Sequence, residues 1–204
     1  DWILRSEVSD ALSKIYVRNI KTNEEEELKI AEEKVISPGI SIAQKDKDTN
    51  IIRISYDSPK TPSRTFEYNI KTKEKKLLKE QIIPSGHNRD DYIVERLNCE
   101  SHDGRQIPMT ITYHKSTKLD GSAHVLLYGY GSYGMSMGPS FSSTRLSLIN
   151  RNIIWVTCHI RGGMERGMRW WKEGKMLNKK NTFSDFISCA KFLIEKKYTS
   201  KKKI

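Results

Sequence analysis

A six-residue segment that occurs twice places the strongest constraint on the fold of this 204-residue chain. The run Asn-Ile-Lys-Thr-Asn-Glu at residues 19–24 recurs as Asn-Ile-Lys-Thr-Lys-Glu at residues 69–74, fifty positions later. Each copy lies between two short strand-like runs, and strand, polar turn and strand is the pattern of a β-hairpin. Repeats of about 40–50 residues with several short strands are typical of β-propeller blades.

Chance similarity between two hairpins in a lysine-rich sequence is the alternative, but agreement at five of six positions disfavours it. Each copy is flanked by predicted strands, at 15–17 and 28–30 around the first and at 66–68 and 77–79 around the second. Residues 51–56 alternate apolar and polar side chains and predict a further strand, with a Ser-Pro…Thr-Pro turn after it. A closed propeller needs about four to eight blades, so two blades predict part of a propeller.

The pattern changes after the Ile-Pro-Ser-Gly run at residues 83–86, which predicts a domain boundary. We expect residues 1–84 to be a partial propeller and residues 85–204 to be a second domain. Residues 92–99 and 106–113 alternate around Asp103-Gly104, a strong hairpin dipeptide. Residues 124–128 and 153–160 are compact apolar strands, and residues 141–150 have helical apolar spacing.

The clearest predicted helix begins at Thr182, with Asp185 three residues later as a short version of the capping box. Its apolar residues from Phe183 to Ile194 form one stripe. Strands alternating with helices predict an α/β layer. Two or three strands do not complete such a sheet, so we expect a truncated domain.

Charge favours no particular ligand. The chain has 36 Lys and Arg against 25 Asp and Glu, for a net charge of +11, and residues 175–204 carry seven of those eleven charges. Lysine outnumbers arginine, whereas nucleic-acid sites favour arginine forks interleaved with aromatic residues. We therefore expect no nucleic-acid partner, and a basic binding module is the weaker alternative. We also expect no membrane partner, because no apolar run approaches the roughly 20 residues of a membrane-spanning helix.

The cysteines and histidines predict no disulfide framework and no metal site. Cys99, Cys158 and Cys189 are odd in number and widely spaced, whereas disulfide scaffolds use even, dense sets. No Cys-x-x-C pair or His-Glu-x-x-His run occurs. We expect a reduced, cytoplasmic protein without a metal or cofactor.

A glycine-rich loop, Tyr-Gly-Tyr-Gly-Ser-Tyr-Gly at residues 128–134, contains G-x-G-x-x-G. That pattern marks a dinucleotide site when a helix follows directly, but Gly138 and Pro139 disfavour a helix here. A nucleophile elbow needs G-x-S-x-G, and Tyr130 stands where its first glycine belongs. Ser132 is therefore predicted to be a turn residue.

Three further motifs follow that loop in order: Arg-Leu-Ser-Leu at 145–148, Arg-Gly-Gly-x-Glu-x-Gly at 161–167, and Lys-Lys-Asn-Thr-Phe-Ser-Asp at 179–185. Together with the loop they resemble the prolyl oligopeptidase family of serine peptidases. Tyr-Gly-Ser-Tyr-Gly at 130–134 is similar to the oligopeptidase B (protease II) branch. The similarity extends back through the Ser-Pro…Thr-Pro turn and weakly to Asp1-Trp2.

This resemblance implies the last blades of a seven-bladed propeller followed by the N-terminal part of an α/β-hydrolase domain. It implies that Tyr130 donates its hydroxyl to the oxyanion hole, and the alternative is a core tyrosine in a glycine-rich turn. It leaves substrate-binding residues unassigned. Glu165 is expected to be a loop salt-bridge or hydrogen-bond partner, and Asp185 a helix cap.

Two positions depart from the family pattern. Met164 stands where the family usually has a third glycine. Gly138 and Ser140 stand where oligopeptidase B relatives often have acidic residues that bind basic side chains. The resemblance implies cleavage of short peptides after Arg or Lys, and the second departure puts a dibasic preference in doubt.

The resemblance places the nucleophilic serine about six residues beyond Ile204, with the acid and the histidine later. None of the five histidines corresponds to the family's catalytic one. We therefore expect the chain alone to be inactive, with short peptides as substrates of the complete enzyme and a downstream fragment as a possible source of the triad. The alternative is a non-catalytic remnant of a truncated or split gene.

Overall fold

The structure is a computed structural model that describes residues 1–41 and 49–204. They form two compact units. The first unit consists of residues 1–8, 12–87 and 139–141, and the second of residues 9–11, 88–138 and 142–204.

The first unit is built from two antiparallel sheets. The first sheet contains β1 (Trp2–Ser9), β2 (Leu12–Asn19) and β3 (Glu25–Glu27), and the second contains β4 (Ser37–Ser41), β5 (Ile51–Asp57), β6 (Arg64–Asn69) and β7 (Lys75–Glu80). Strands β4 to β7 pair in chain order, as in the four-stranded sheet of one propeller blade. The strand predicted at residues 28–30 is wrong, because the third strand of the first sheet ends at Glu27.

The two copies of the repeat form the same turn, between β2 and β3 and between β6 and β7. In each copy the first asparagine donates its backbone N–H to the carbonyl of the glutamate and accepts a backbone N–H at its side-chain oxygen. The fifth residue, Asn23 or Lys73, has a φ of 61° or 62°. These shared hydrogen bonds and the matching backbone geometry confirm the predicted pair of hairpins.

One apolar core joins the two sheets of the first unit. Ile15, Val17 and Ile54 are each at most 2% exposed and belong to one cluster. The predicted Ser-Pro…Thr-Pro turn is also buried, and Glu33 accepts the hydroxyls of Ser58 and Thr61 at 2.6 and 2.5 Å. A single carboxylate therefore satisfies both buried hydroxyls.

The second unit is an α/β layer. Its strands are β8 (Tyr92–Glu100), β9 (Gln106–His114), β10 (His124–Tyr128) and β11 (Ile153–Cys158), and its helices are α1 (Ser143–Ile149), α2 (Met168–Lys172) and α3 (Lys179–Glu195). The sheet order is β10-β11-β9-β8, with β10 parallel to β11 and the other pairs antiparallel. The predicted hairpin around Asp103-Gly104 is confirmed. Helix α1 is shorter than predicted because Ser142 caps it, accepting the N–H of Arg145.

Strand β9 is buried along nearly its whole length, from Ile107 to Tyr113. Burial of consecutive residues means that both faces of the strand are covered. Cys99, Cys158 and Cys189 are free and buried in the same core. Among the described residues, no helix is both long enough and apolar enough to span a bilayer.

His159 follows β11 and is fully buried. Its Nε2 lies 2.9 Å from the hydroxyl of Thr110, and no described residue partners its Nδ1. Burial, with a smaller contribution from the charge of Arg96, lowers the pKa of His159 from 6.5 to about 3. His159 is therefore a neutral core residue at physiological pH.

This burial predicts a pH dependence of stability. Between pH 6.5 and 3 the unfolded chain binds a proton at His159 that the folded chain does not, so stability falls as the pH drops, by about 1.4 kcal/mol per unit. Urea unfolding at pH 7 and pH 5 should show a loss of about 2 kcal/mol from this residue. His159→Gln should remove that loss, whereas the exposed control His102→Gln should not. An unchanged slope in His159→Gln would contradict the assignment.

Candidate active site

The glycine-rich loop leaves the sheet at the carboxyl end of β10, beside the parallel strand β11. Ligands of α/β sheets bind at this edge. Tyr130 is the second residue after β10, and it is 40% exposed. Part of Tyr130 is therefore left exposed by the residues that the structure describes.

The first two glycines of the loop are closely packed against their neighbours. A Cβ on Gly129 would lie 3.0 Å from Ile160 Cδ1, and one on Gly131 would lie 2.5 Å from Thr182 Cγ2. Gly131 also has a φ of 61°, which side chains disfavour. The loop backbone on both sides of Tyr130 therefore packs directly against its neighbours.

The same loop lacks the geometry of a dinucleotide site. Residues 135–142 contain no helix, and α1 begins only at Ser143. A pyrophosphate site needs a helix N-terminus directly after the glycines. Packing therefore accounts for glycines that the sequence pattern alone associates with nucleotides.

A tight turn follows Tyr130. The N–H of Met135 donates to the carbonyl of Ser132 at 3.1 Å, and Tyr133 and Gly134 between them have φ values of 54° and 69°. Positive φ at both central residues is the signature of a type I′ turn. Ser132 is thus a turn residue, as predicted, and Tyr133 is 87% exposed at the tip.

Lys179, the first residue of α3, ties this loop to the helix. Its Nζ donates to the carbonyl of Gly131 at 2.5 Å and to the hydroxyl of Ser132 at 2.8 Å. Burial lowers the pKa of Lys179. Two of its hydrogen bonds therefore hold the residues that directly follow Tyr130.

Gly162 packs against the loop from the other side. Its carbonyl accepts the N–H of Gly134 at 3.0 Å, and its own N–H donates to the carbonyl of Trp170 at 3.1 Å. Its φ is 104°, and a Cβ would lie 2.0 Å from the carbonyl oxygen of Gly131. No other residue type fits this position without displacing the loop.

The residue before Gly162 forms a buried ion pair. Arg161 and Asp185 have side chains at most 1% exposed, and Arg161 Nε and Nη2 donate to the two carboxylate oxygens at 2.9 and 2.6 Å. Asp185 also accepts the backbone N–H of Arg161 and the hydroxyl of Ser101. Such a carboxylate is fully satisfied, which a buried charge requires.

Asp103 completes this network from the β8–β9 turn. Arg161 Nη1 and Nη2 donate to its two oxygens at 2.5 and 3.1 Å. Burial would raise the pKa of Asp103, but the hydrogen bonds and charge of Arg161 outweigh it, so the pKa is lowered. One guanidinium therefore links the hairpin turn, the segment after β11 and α3.

The prediction that Asp185 caps a helix beginning at Thr182 is wrong. Helix α3 begins at Lys179, so Asp185 lies inside it. The hydroxyl of Thr182 donates instead to the carbonyls of Arg161 and Gly174, at 2.7 and 3.1 Å. Both residues stabilise the loop after β11, a long-range role that helix-capping patterns do not describe.

Glu165 is a hydrogen-bond partner, as predicted. Its Oε1 accepts the N–H of Met137 at 3.1 Å, and no described residue partners its Oε2. Burial raises the pKa of Glu165. A Cβ on Gly163 would overlap this carboxyl group, so Gly163 and Glu165 together position the segment that follows Gly134.

Sequence reasoning did not identify Lys179, Asp103 or Gly174 as supports of the loop. Lys179 begins the motif at residues 179–185, but nothing in that motif indicates a contact with the glycine-rich loop. Asp103 is explained locally as a residue of the hairpin turn. Among residues 1–41 and 49–204, no cluster of His, Cys, Asp and Glu is arranged to hold a metal ion.

The family models identify both parts of the chain. Residues 1–81 match the N-terminal β-propeller domain of prolyl oligopeptidase, and residues 139–204 match the prolyl oligopeptidase family. The chain belongs to the prolyl oligopeptidase family, in its oligopeptidase B branch. Its fold is the C-terminal blades of a β-propeller followed by the N-terminal part of an α/β-hydrolase domain.

Individual relatives agree with this assignment. Dipeptidyl aminopeptidase BI of Pseudoxanthomonas mexicana is 41% identical over 92% of the chain and 26% of the relative. Protease 2 of Moraxella lacunata is 40% identical over 80% of the chain and 24% of the relative. The structure of oligopeptidase B from Leishmania major matches all of the chain with a TM-score of 0.88, at 30% identity and 29% of its own length. The chain thus spans about a quarter of the length of the curated relatives it matches.

A side chain at Gly162 should destabilise the fold in two ways, through backbone strain and through steric overlap with the loop. Gly167 is the matched control for the strain alone. Gly167 also has a positive φ, of 81°, but open space around its Cα. Gly167→Ala should therefore cost only the strain of about 1 kcal/mol. Gly162→Ala should cost about 1–3 kcal/mol more, since the methyl group displaces the loop. Urea unfolding followed by tryptophan fluorescence measures both, and equal losses would contradict the packing argument.

The buried ion pair predicts a second stability difference. Asp185→Asn removes the fully buried charge partner of Arg161 and leaves it paired only with the partly exposed Asp103, and it should cost about 3–5 kcal/mol. Asp103→Asn is the matched control, because the Asp103 side chain is 35% exposed, and it should cost about 1–2 kcal/mol. Urea unfolding measures both losses of stability. If Asp185→Asn costs no more than Asp103→Asn, the buried ion pair is not the main support of the segments it joins.

Proposed function

We propose that this chain carries the oxyanion-hole tyrosine of a serine-type oligopeptidase that hydrolyses short peptides through an acyl-enzyme. The observation that carries the proposal is Tyr130, an exposed phenol on a loop held from both sides at the carboxyl edge of an α/β sheet. The family membership of the chain and the peptidase names of its relatives support the reaction class.

Tyr130 would act on the tetrahedral intermediate. When a serine attacks a peptide carbonyl, negative charge develops on the carbonyl oxygen, and a fixed O–H donor stabilises it. The donor is effective only if it needs no reorganisation during the reaction. Gly129, Gly131 and Lys179 provide that rigidity by fixing the backbone before and after the tyrosine.

The surroundings of His159 and His114 support the proposal that the nucleophile and the base are not among these 204 residues. The pKa of His159 is about 3, because of burial and the charge of Arg96, which is far below the value near 7 that suits a general base. The imidazole of His114 lies 2.7 Å from Ser116, but that hydroxyl donates to Asn152. We infer that the Ser, Asp and His of the triad are supplied by other residues and that this chain alone is inactive.

We further propose that residues 1–84 are the last blades of the propeller and residues 85–204 the first part of the peptidase domain. We propose cleavage after a single Arg or Lys. Gly138 and Ser140 provide no carboxylate for a second basic side chain. Three free cysteines support a reducing, cytoplasmic location.

Replacement of one hydroxyl tests the role of Tyr130. A chimera in which residues 1–204 replace the matching segment of Moraxella lacunata protease 2 would supply the remaining residues. It should hydrolyse an arginine-containing fluorogenic peptide, and Tyr130→Phe should lower kcat about 10²–10³-fold with KM nearly unchanged. Tyr128→Phe, which removes a hydroxyl from β10 instead, is the matched control and should leave kcat nearly unchanged.

Two results would contradict the proposal. Full activity of the Tyr130→Phe chimera would remove the oxyanion role, and hydrolysis by the 204-residue chain alone at the rate of the chimera would show that it contains its own nucleophile. Reading the coding sequence past Ile204 provides an independent check. A G-x-S-x-G motif is expected within about ten residues.

A further inference from the structure

A cleft of about 470 Å³ opens beside the glycine-rich loop. Tyr133 and Trp171 contribute aromatic side chains, and Lys175 and Lys179 contribute ammonium groups. The other lining residues are Ser132, Gly162, Gly174 and Met176. All of them belong to the second unit. Aromatic and cationic groups in one cleft are suited to a ligand that is both apolar and anionic.

Neither ammonium group pairs with an acid in the part of the chain that the structure describes. Lys175 Nζ lies 3.5 Å from the centroid of the Trp171 ring. Lys179 Nζ donates to the oxygens of Gly131 and Ser132 and lies 6.0 Å from the centroid of the Phe183 ring. No ion pair among residues 1–41 and 49–204 includes either lysine. The nearest acid in sequence, Glu173, is bound by Arg105 and Arg169 at 2.9 and 2.6 Å. The described residues therefore supply no counter-charge to the two lysines of the cleft.

Two apolar side chains of the cleft are largely exposed. Tyr133 is 87% exposed and Met176 is 83% exposed. Large apolar groups with so little cover are typical of binding sites. They flank the lysines, so a ligand with an apolar side chain next to an anionic group would contact both.

We propose that this cleft binds a peptide carboxylate, with Lys175 as the primary charge partner and Tyr133 and Trp171 contacting the neighbouring apolar side chain. The carboxylate is either the free C-terminus of a peptide or an acidic side chain within it. The inference rests on the proposed function in that its ligand is a peptide. It adds a specificity site that favours peptides able to place a carboxylate in the cleft.

Binding to the 204-residue chain itself tests this proposal, with the indole N–H of Trp171 and the amides of Gly162 and Gly174 as NMR reporters. The probes are N-acetyl-Ala-Phe with a free carboxylate, the same dipeptide as its amide, and N-acetyl-Glu-Phe-amide. The free acid should bind about five- to tenfold more tightly than the amide, as expected for one charge-assisted hydrogen bond. Tight binding of the glutamate probe would assign the site to acidic side chains, and weak binding would assign it to the C-terminus.

Charge variants separate the role of Lys175 from a general effect of net charge. Lys175→Gln should reduce the preference for the acid to less than about twofold, and Lys175→Arg should retain it. Lys180→Gln removes the same charge one residue from Lys179 but outside the cleft, and it should leave the preference unchanged. Amide dispersion in the same spectra verifies the fold of each variant.

Equal affinity of the wild-type chain for the acid and the amide, with neither glutamate nor C-terminal carboxylate preferred, would overturn the proposal. A preference that survives in Lys175→Gln would overturn the assignment to Lys175. Because binding needs no hydrolysis, the two proposals fail separately. An inactive chimera leaves a carboxylate preference intact, and an active chimera without that preference contradicts only the cleft.

Discussion

The buried ion pair between Arg161 and Asp185 holds together the elements around the candidate site. Its guanidinium also binds Asp103, so three segments that are distant in sequence meet at one charge. Desolvation of such a pair is costly unless every donor and acceptor is satisfied. Here the carboxylate accepts four hydrogen bonds from Arg161 and Ser101, and the geometry around Gly162 follows from that arrangement.

That fixed segment determines the position of the glycine-rich loop. Gly162 and Gly131 approach too closely for any side chain, and Lys179 holds the loop from the helix. Tyr130 therefore lies between strand β10 and a turn that two hydrogen bonds from Lys179 hold in place. In an oxyanion hole such rigidity is what makes a hydrogen-bond donor effective, so the stability of the ion pair and the proposed catalytic role are physically connected.

Local patterns predicted the local structure well. The repeated turns, the Asp103-Gly104 hairpin and β10 depend on residues close together in sequence, and the structure confirms them. The start of α3 was predicted wrongly, because Thr182 and Asp185 form a capping pattern in the sequence but bond to distant residues in the structure. The hydroxyl of Thr182 donates to the carbonyls of Arg161 and Gly174, and Asp185 accepts from the side chain of Arg161. Lys179 was missed because its partners, Gly131 and Ser132, lie 47–48 residues away.

The sequence alone determined the hairpin repeat, the change to an α/β layer and the family of the chain, because turn chemistry, apolar periodicity and ordered motifs are all local properties. The tertiary structure decided why Gly131 and Gly162 have no room for a side chain. It also decided which acid pairs with Arg161, and that Lys175 and Lys179 share a cleft with Tyr133 and Trp171. Such pairings depend on distances between segments that are far apart in the chain, and only the folded sheet brings those segments together.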